Sequence, residues 1–210
     1  MHFLAKLAVS LPAIAGVASA AVLPRAVDSD TMISALKDLA QRSSDTGDLA
    51  KALGPADQNP TTDNYAAAVN GLRDLITATG ADVTAAAETQ PYADDAAQQA
   101  VCDAYKTVSR KPKGKRKKKP VLTKPPLVQQ FVTFQSEMLN NFIGKSYIAD
   151  GGFGAPFAAA FRSLEGADDT LSFEIIDAVP SCADSVTENK NLLDDKLSKA
   201  TCAYSPGEIC

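Results

Sequence analysis

The sequence predicts an all-α fold, an antiparallel bundle of five to seven amphipathic helices with one basic, disordered excursion. Apolar residues recur every three or four positions through most of the chain, and no stretch alternates apolar with polar residues as a half-buried strand does. A chain of 210 residues can bury a core of its own in one domain. We therefore predict a single helical domain over residues 21–210, interrupted by a basic loop rich in Pro and Lys at 110–126.

The first helix is capped by Asp28 or Ser29, since a side-chain oxygen there can accept from the first free backbone amides. A weaker helical segment from Leu49 to Leu53 ends at Gly54-Pro55. The apolar positions of the first helix are Met32, Ile33, Leu36, Leu39 and Ala40.

A long second helix starts at Thr62 or Asp63, and its apolar stripe alternates steps of four and three as a packed helix should. Pro91 suits the first turn of the next helix. The second helix presents Tyr65, Val69, Leu72, Ile76, Thr79, Val83 and Ala86, and the third presents Tyr92, Ala96, Ala100, Val101, Tyr105 and Val108.

The helical pattern stops in the excursion at 110–126, which holds four prolines and nine of the chain's 21 basic residues. That composition favours disorder or extended chain. Helix resumes at Leu127 and ends at Gly144 or at Gly151-Gly152. Its apolar face carries Phe131, Phe134, Met138, Phe142 and Ile143.

Three shorter helices complete the bundle. One runs from Pro156 to Leu164, and another from Leu171 to Val179, capped by Asp168 or Asp169 and closed by Pro180. Ser181 opens the last, with apolar positions at Cys182, Val186, Leu193, Leu197 and Ala200.

Residues 1–20 have the three parts of an export signal: a short region with Lys6, an apolar run from Leu7 to Val17, and the small-residue cleavage site Ala18-Ser19-Ala20. The apolar run is too short for a membrane anchor, and later apolar stretches are interrupted by polar residues. We expect a secreted protein that is not transmembrane.

The chain has four cysteines, an even number, which in an oxidising compartment predicts two disulfides. Three pairings are open. One of them closes a short loop between Cys202 and Cys210 and leaves Cys102 to pair with Cys182. A zinc site is not expected, because no Cys-x-x-Cys pair occurs.

The only histidine, His2, lies in the export signal, so a mature chain cannot assemble a Ser-His-Asp or Cys-His site or an imidazole metal site. The adjacent acids Asp94-Asp95, Asp168-Asp169 and Asp194-Asp195 are read as caps or solvated faces. The chain has no tryptophan to stack on a sugar, which disfavours a glycosidase. We predict a non-enzymatic protein with no cofactor and no metal.

A basic run such as residues 113–119 suggests nuclear import or nucleic-acid binding in a cytosolic protein, but export disfavours both, and no nucleic-acid partner is expected. Four interpretations stay open. The run is a tether to anionic lipid or polysaccharide, a protease site at the dibasic Lys115-Arg116, a solvated loop without a role, or an artefact of the gene model.

The order of features resembles the hydrophobic surface-binding protein A family, fungal secreted proteins related to cell-wall galactomannoproteins. The resemblance rests on the Asp-rich start of an Ala-rich amphipathic helix, the long second helix, the segment from Phe131 to Phe142, Ile175-Ile176-Asp177-Ala178-Val179-Pro180, and the run from Val186 through Asn189-Lys190 to Leu197 and Tyr204. It implies a helical bundle, located outside the cell or in the cell wall, that binds hydrophobic surfaces or holds a fatty acid in an apolar cavity. The basic excursion and the four cysteines depart from that pattern.

From the residues alone, a lipid site needs a wide apolar interior and one polar group for the carboxylate, which Tyr65 or Tyr105 can supply. The alternative is that the same side chains form an ordinary core, and a secreted interaction protein or effector is the rival function. The candidate lining residues are Tyr65, Val69, Leu72, Ile76, Tyr105, Phe131, Phe134, Met138, Phe142, Phe157 and Phe161.

Overall fold

A computed structural model describes residues 27–54, 62–106 and 130–205. The predicted export signal, the basic excursion with Lys115 and Arg116, and Cys210 lie outside these residues. Within the described ranges the chain forms six α-helices and two short 3-10 helices, and contains no strand. The all-α class with five to seven helices is confirmed.

The helices are α1 (Ser29–Lys51), α2 (Thr62–Ala86), α3 (Asp95–Tyr105), α4 (Phe131–Ile143), α5 (Gly154–Ala178) and α6 (Ala183–Ala203). The 3-10 helices cover Ser146–Gly151, before α5, and Pro180–Cys182, before α6.

Five helices form a closed ring around the core. In cyclic order α1 packs on α2, α2 on α5, α5 on α6, α6 on α4 and α4 on α1, while α3 packs mainly on α1. Because α4 and α5 are not neighbours in the ring, they meet only through long side chains that cross its interior. Gln135 reaches Asp168 there, and Phe142 reaches Phe157 and Phe161.

Consecutive helices run antiparallel, but some neighbours in the ring run parallel. The Nζ of Lys145, just after α4, donates to the carbonyl of Leu53, just after α1, so these two helices end together. Tyr65 near the start of α2 stacks on Phe153 at the start of α5, with ring centroids 4.5 Å apart. The predicted antiparallel arrangement therefore describes chain neighbours such as α1 with α2 and α5 with α6, not every packed pair.

Helix α1 is longer than its apolar pattern indicates. It continues through Ser43, Thr46 and Gly47, and these three residues are buried. Ser43 satisfies its own hydroxyl by donating to the Leu39 carbonyl at 2.8 Å. At Gly47 a Cβ would lie 3.3 Å from the Cα of Met138, so the missing side chain permits the close approach of α4. The small residues mark a tight helix contact instead of a break.

Helix α5 is one continuous helix where the sequence predicts two, from Pro156 to Leu164 and from Leu171 to Val179. The prediction that Asp168 or Asp169 caps a new helix is therefore wrong. Asp168 is 2% exposed inside α5, and its Oδ2 accepts a 2.5 Å hydrogen bond from Nε2 of Gln135. The reading of this aspartate as a cap or a solvated residue fails because its partner comes from α4, far along the chain.

Helix α3 begins at Asp95, four residues later than Pro91 suggests, and the Oδ1 of Asp94 caps it by accepting from the Ala96 amide. The preceding segment is held elsewhere, since the Tyr92 amide donates to the Ala178 carbonyl at the end of α5. The apolar stripe is also rotated. Ala96 and Ala100 are exposed, whereas Gln98, Val101, Cys102, Ala104 and Tyr105 are buried.

A disulfide joins Cys102 of α3 to Cys182. This bond belongs to one of the three pairings that the sequence left open. Buried Gln98 supports the same junction, because its amide donates to the Tyr92 carbonyl and its carbonyl accepts from the Ser181 amide. The other expected pair includes Cys210, which lies outside the described residues. The Cys102–Cys182 link therefore ties α3 to the start of α6.

The close approach of Gly154 to the end of α6 gives a test of the packing. A Cβ at Gly154 would lie 2.5 Å from the backbone oxygen of Tyr204, whereas Gly166 on the same helix faces open space. We expect Gly154→Ala to lower the free energy of unfolding by about 1–3 kcal/mol. The matched Gly166→Ala should raise it by about 0.5–1 kcal/mol through helix propensity. Urea denaturation followed by circular dichroism measures both, and equal shifts for the two variants would contradict this packing.

Candidate functional site

The candidate lining residues converge on the ring interior, and the structure packs most of them tightly. Ile76 is partly buried against the core, and Phe134 is half-buried but lies outside the core cluster. The remaining nine are at most 9% exposed: Tyr65, Val69, Leu72, Tyr105, Phe131, Met138, Phe142, Phe157 and Phe161.

An aromatic cluster fills one end of this interior. Phe142 contacts Phe157 and Phe161 with ring centroids 5.6 and 5.3 Å apart, and Tyr204 lies 5.0 Å from Phe157. The Tyr204 hydroxyl donates to the Phe142 carbonyl at 2.9 Å, which satisfies its only polar atom away from water. These side chains hold each other, so this end of the interior is occupied by protein.

Tyr105, a candidate for meeting a ligand head group, is committed to an internal hydrogen bond. Its hydroxyl lies 2.7 Å from the Oγ of Ser172, which donates in turn to the Asp168 carbonyl at 2.6 Å. Burial is the main cause that raises the pKa of the Tyr105 phenol far above its ordinary value. The hydroxyl therefore stays neutral and links α3 to α5.

A groove between α2 and α5 opens at the surface beside the other candidate, Tyr65. Its volume is about 320 Å³, at the lower end of the range of roughly 300–1,000 Å³ for small-molecule sites. The groove is mostly apolar and includes three of the candidate lining residues. It is lined by Tyr65, Ala66, Val69, Asn70, Arg73, Phe153, Pro156 and Phe157.

Two polar side chains, Asn70 and Arg73, stand at this groove and were missed by the sequence reasoning. A signal was available, because Ala66, Asn70 and Arg73 have the helical spacing i, i+4 and i+7 and so share one face beside the apolar stripe. Arg73 is exposed and forms no ion pair with any described carboxylate. The groove thus combines an apolar floor with one available positive charge.

Phe153 is the other residue that the pattern did not reveal. It precedes α5, where no periodicity points to it, and its ring lies nearly parallel to that of Tyr65, at an interplanar angle of 3°. The stacked pair forms one end of the groove. Burial raises the pKa of the Tyr65 hydroxyl, whose contact with the Gly54 carbonyl is a long 3.4 Å.

A second groove of about 350 Å³ lies where α5 begins and α6 ends. Its floor is made of small residues, and Arg162 donates to the Ser205 hydroxyl at its edge. It contains none of the candidate lining residues. It is lined by Ala149, Gly152, Gly154, Ala155, Ala158, Arg162, Tyr204 and Ser205.

Over the described ranges, no group of three or more Cys, His, Asp or Glu side chains is arranged to hold a metal ion. None of the helices resolved in those ranges has the length and hydropathy needed to cross a membrane. Comparison of the chain with known protein families, with characterised proteins and with solved structures gave no match.

The two candidate tyrosines differ in how much their hydroxyls contribute to stability. We expect Tyr105→Phe to lower the free energy of unfolding by about 1 kcal/mol, because the substitution removes the buried hydrogen bond to Ser172, whose hydroxyl keeps only its bond to the Asp168 carbonyl. Tyr65→Phe, which removes only the 3.4 Å contact, should change it by less than about 0.5 kcal/mol. Chemical denaturation of both variants at one pH checks the difference, and a larger effect at Tyr65 would refute the assignment.

Proposed function

We propose that this protein is a secreted, non-enzymatic binder of lipids or other apolar molecules with an anionic head group, such as a fatty acid. The observation that carries the proposal is the groove between α2 and α5, where apolar side chains form the floor and Arg73 stands at the edge. Such a site suits a molecule with one long apolar part and one negative end.

The charge at the groove sets the class of head group. A guanidinium pairs with a carboxylate through two parallel N–H···O bonds, a geometry that a hydroxyl cannot match. The Asn70 amide, one helical turn from Arg73, adds both a donor and an acceptor. Since the pair would remain partly exposed, we expect its contribution to be about 1 kcal/mol or less.

The floor of the groove connects it to the aromatic cluster. Phe157 is shared, since it lines the groove and contacts Phe142 and Tyr204 in the ring interior. An acyl chain lying on Tyr65, Val69 and Phe157 gains about 0.8 kcal/mol for each methylene that it buries. A surface groove leaves part of the chain in water and association costs roughly 4–15 kcal/mol, so the affinity depends on how many methylenes the groove covers.

The exposed apolar side chains favour a discrete ligand over an adsorbing face. Among residues 27–54, 62–106 and 130–205 four large ones are exposed, namely Leu49, Tyr147, Phe173 and Leu192, and they lie on four different elements. Phe173 is partly covered by the Nζ of Lys190, 5.4 Å from its ring centroid. Scattered side chains of this kind are normal on soluble proteins.

The Cys102–Cys182 disulfide supports the proposed location, because such bonds form and persist outside the reducing cytosol. The sequence resemblance to the hydrophobic surface-binding protein A family supports the ligand class. The proposed tether of the basic excursion to anionic lipid or polysaccharide concerns residues that the structure does not describe, and stays a prediction.

Displacement of a fluorescent fatty acid by palmitate and by the matching fatty alcohol tests the groove. We expect Arg73→Gln to weaken palmitate roughly fivefold, as loss of about 1 kcal/mol implies, and to leave the alcohol nearly unchanged. Ala66→Phe should weaken both ligands strongly, since Ala66 is exposed and the new ring fills the groove without entering the core.

The matched control is Arg162→Gln, which removes the arginine of the second groove and should leave both affinities unchanged. A wild-type protein that takes up no fatty acid sinks the proposed function. Binding that is insensitive to Ala66→Phe would keep the function but place the ligand inside the ring.

A second candidate function is a secreted interaction protein that is processed at Lys115-Arg116. One observation favours it: Tyr105, the last residue of α3, contacts Phe131, the first of α4, with ring centroids 5.7 Å apart. The chain therefore leaves and re-enters the fold at the same place. The disulfide joins the two sides of the excursion, because Cys102 precedes it and Cys182 follows it.

Digestion with a kexin-like protease tests this candidate. We expect cleavage after Arg116 to give one band on a non-reducing gel, two bands after reduction, and an unchanged helical circular dichroism spectrum. The double variant Lys115→Ala, Arg116→Ala is the uncut control. Loss of the helical signal on cleavage would show that the two segments do not hold together as this geometry requires.

A further inference from the structure

A buried pair of polar side chains crosses the ring interior without a complete set of hydrogen bonds. Gln135 of α4 is fully buried and Asp168 of α5 is 2% exposed. Gln135 Nε2 donates to Asp168 Oδ2, but Asp168 Oδ1 and Gln135 Oε1 have no hydrogen-bond partner among the described residues. A buried polar atom without a hydrogen-bond partner destabilises the folded state, so these two oxygens need an explanation.

A proton on the Asp168 carboxyl group would give both oxygens a partner. A neutral carboxylic acid and a primary amide form two reciprocal hydrogen bonds, the acid O–H donating to the amide oxygen and the amide N–H donating to the acid carbonyl. The amide of Gln135 can take either of its two orientations, which are nearly identical in shape. In the reciprocal form the two oxygens that now lack partners are both used.

An ionised Asp168 has no comparable solution. The charged groups that act on it are Glu165 and Asp169 from its own helix and Asp194 from α6, and all three are acidic. The cation nearby, Lys190 of α6, is held by Asp169 at 2.5 Å and by Asp194 at 2.7 Å. Helix α4 contributes the neutral Gln135, α3 contributes the neutral Tyr105 hydroxyl, and α2 contributes no charged group to this set.

We propose that Gln135 and Asp168 form a proton-dependent latch across the ring, closed while Asp168 is a neutral acid and open once the proton has passed to water. Opening removes one of the two hydrogen bonds and leaves a carboxylate inside an apolar interior next to three other acids. The link between α4 and α5 is then weakened at the level where Ser172 and Tyr105 join α5 to α3. The latch does not depend on the proposed ligand.

The direction of the effect follows from the same surroundings. Burial first, and then Asp169, Asp194 and Glu165, raise the pKa of Asp168 well above its ordinary value of 3.8, while the Gln135 hydrogen bond lowers it in part. A raised pKa in the folded state contributes stability that is fully present below the unfolded pKa and is lost as pH rises through the folded pKa. The latch therefore tightens the bundle in acid and loosens it as pH rises.

The primary test needs no variant. Carbon-13 NMR of the aspartate side-chain carboxyls, assigned in the wild-type protein, should show Asp168 losing its proton at a pH well above its ordinary pKa of 3.8. Hydrogen exchange at the α4 and α5 amides around the pair should become faster across the same pH interval, while amides in the middle of α2 respond less. A midpoint for Asp168 at or below its ordinary value overturns the proposal.

Urea denaturation across pH provides an independent check with matched variants. Asp168→Asn cannot ionise and keeps the reciprocal pairing, while Asp177→Asn removes an exposed acid of the same helix. For each pH unit between the unfolded and folded pKa of Asp168, the folded-to-unfolded ratio of the wild type should fall tenfold relative to Asp168→Asn. Asp177→Asn should follow the wild type. Parallel pH profiles for wild type and Asp168→Asn would exclude the latch.

Discussion

The constraint on which the rest of the structure depends is the number of helices around the interior. If neighbouring helix axes are 8–10 Å apart, helices that are not neighbours in a ring of five stand about 13–16 Å apart. Small aliphatic side chains cannot bridge that distance. The interior between α4 and α5 must therefore be filled by long side chains, which explains why Phe142, Phe157 and Phe161 meet there.

The same distance explains the polar chemistry of the interior. Gln135 and Asp168 together span the gap as an aromatic pair does, but they bring two amide atoms and two carboxyl atoms into the buried interior. Each polar group there must find a protein partner, which Tyr105 does at Ser172 and Tyr204 does at the Phe142 carbonyl. Gln135 and Asp168 complete theirs only when a proton is present, so one buried pair makes the stability of the bundle depend on pH.

Sequence periodicity predicted the helical segments but not which segments belong to one continuous helix. It offered Asp28 as one of two caps for α1 and Gly144 as one of two ends for α4, and it found the buried stripe of α2, since each follows from local backbone bonding or from one helix face. It broke α1 and α5 at segments rich in small and acidic residues. Such residues end a helix in water, yet Gly47 and Asp168 lie inside helices because α4 packs against them, and no local pattern reveals a partner so far along the chain.

The candidate site was predictable to the same extent and for the same reason. Most of the apolar residues chosen from helical stripes do converge, since a stripe reports which face is buried. What a stripe cannot report is whether the buried face encloses space or is filled, because that depends on side chains from other helices, such as Tyr204 against Phe157. Nor does it reveal where the packing leaves a gap. Here the gap lies between the parallel helices α2 and α5, where the floor side chains Tyr65, Val69 and Phe157 belong to the core. Any apolar ligand that binds at this groove therefore packs directly on residues that hold the ring together, and it would stabilise the folded protein by an amount that grows with the logarithm of its concentration relative to its Kd.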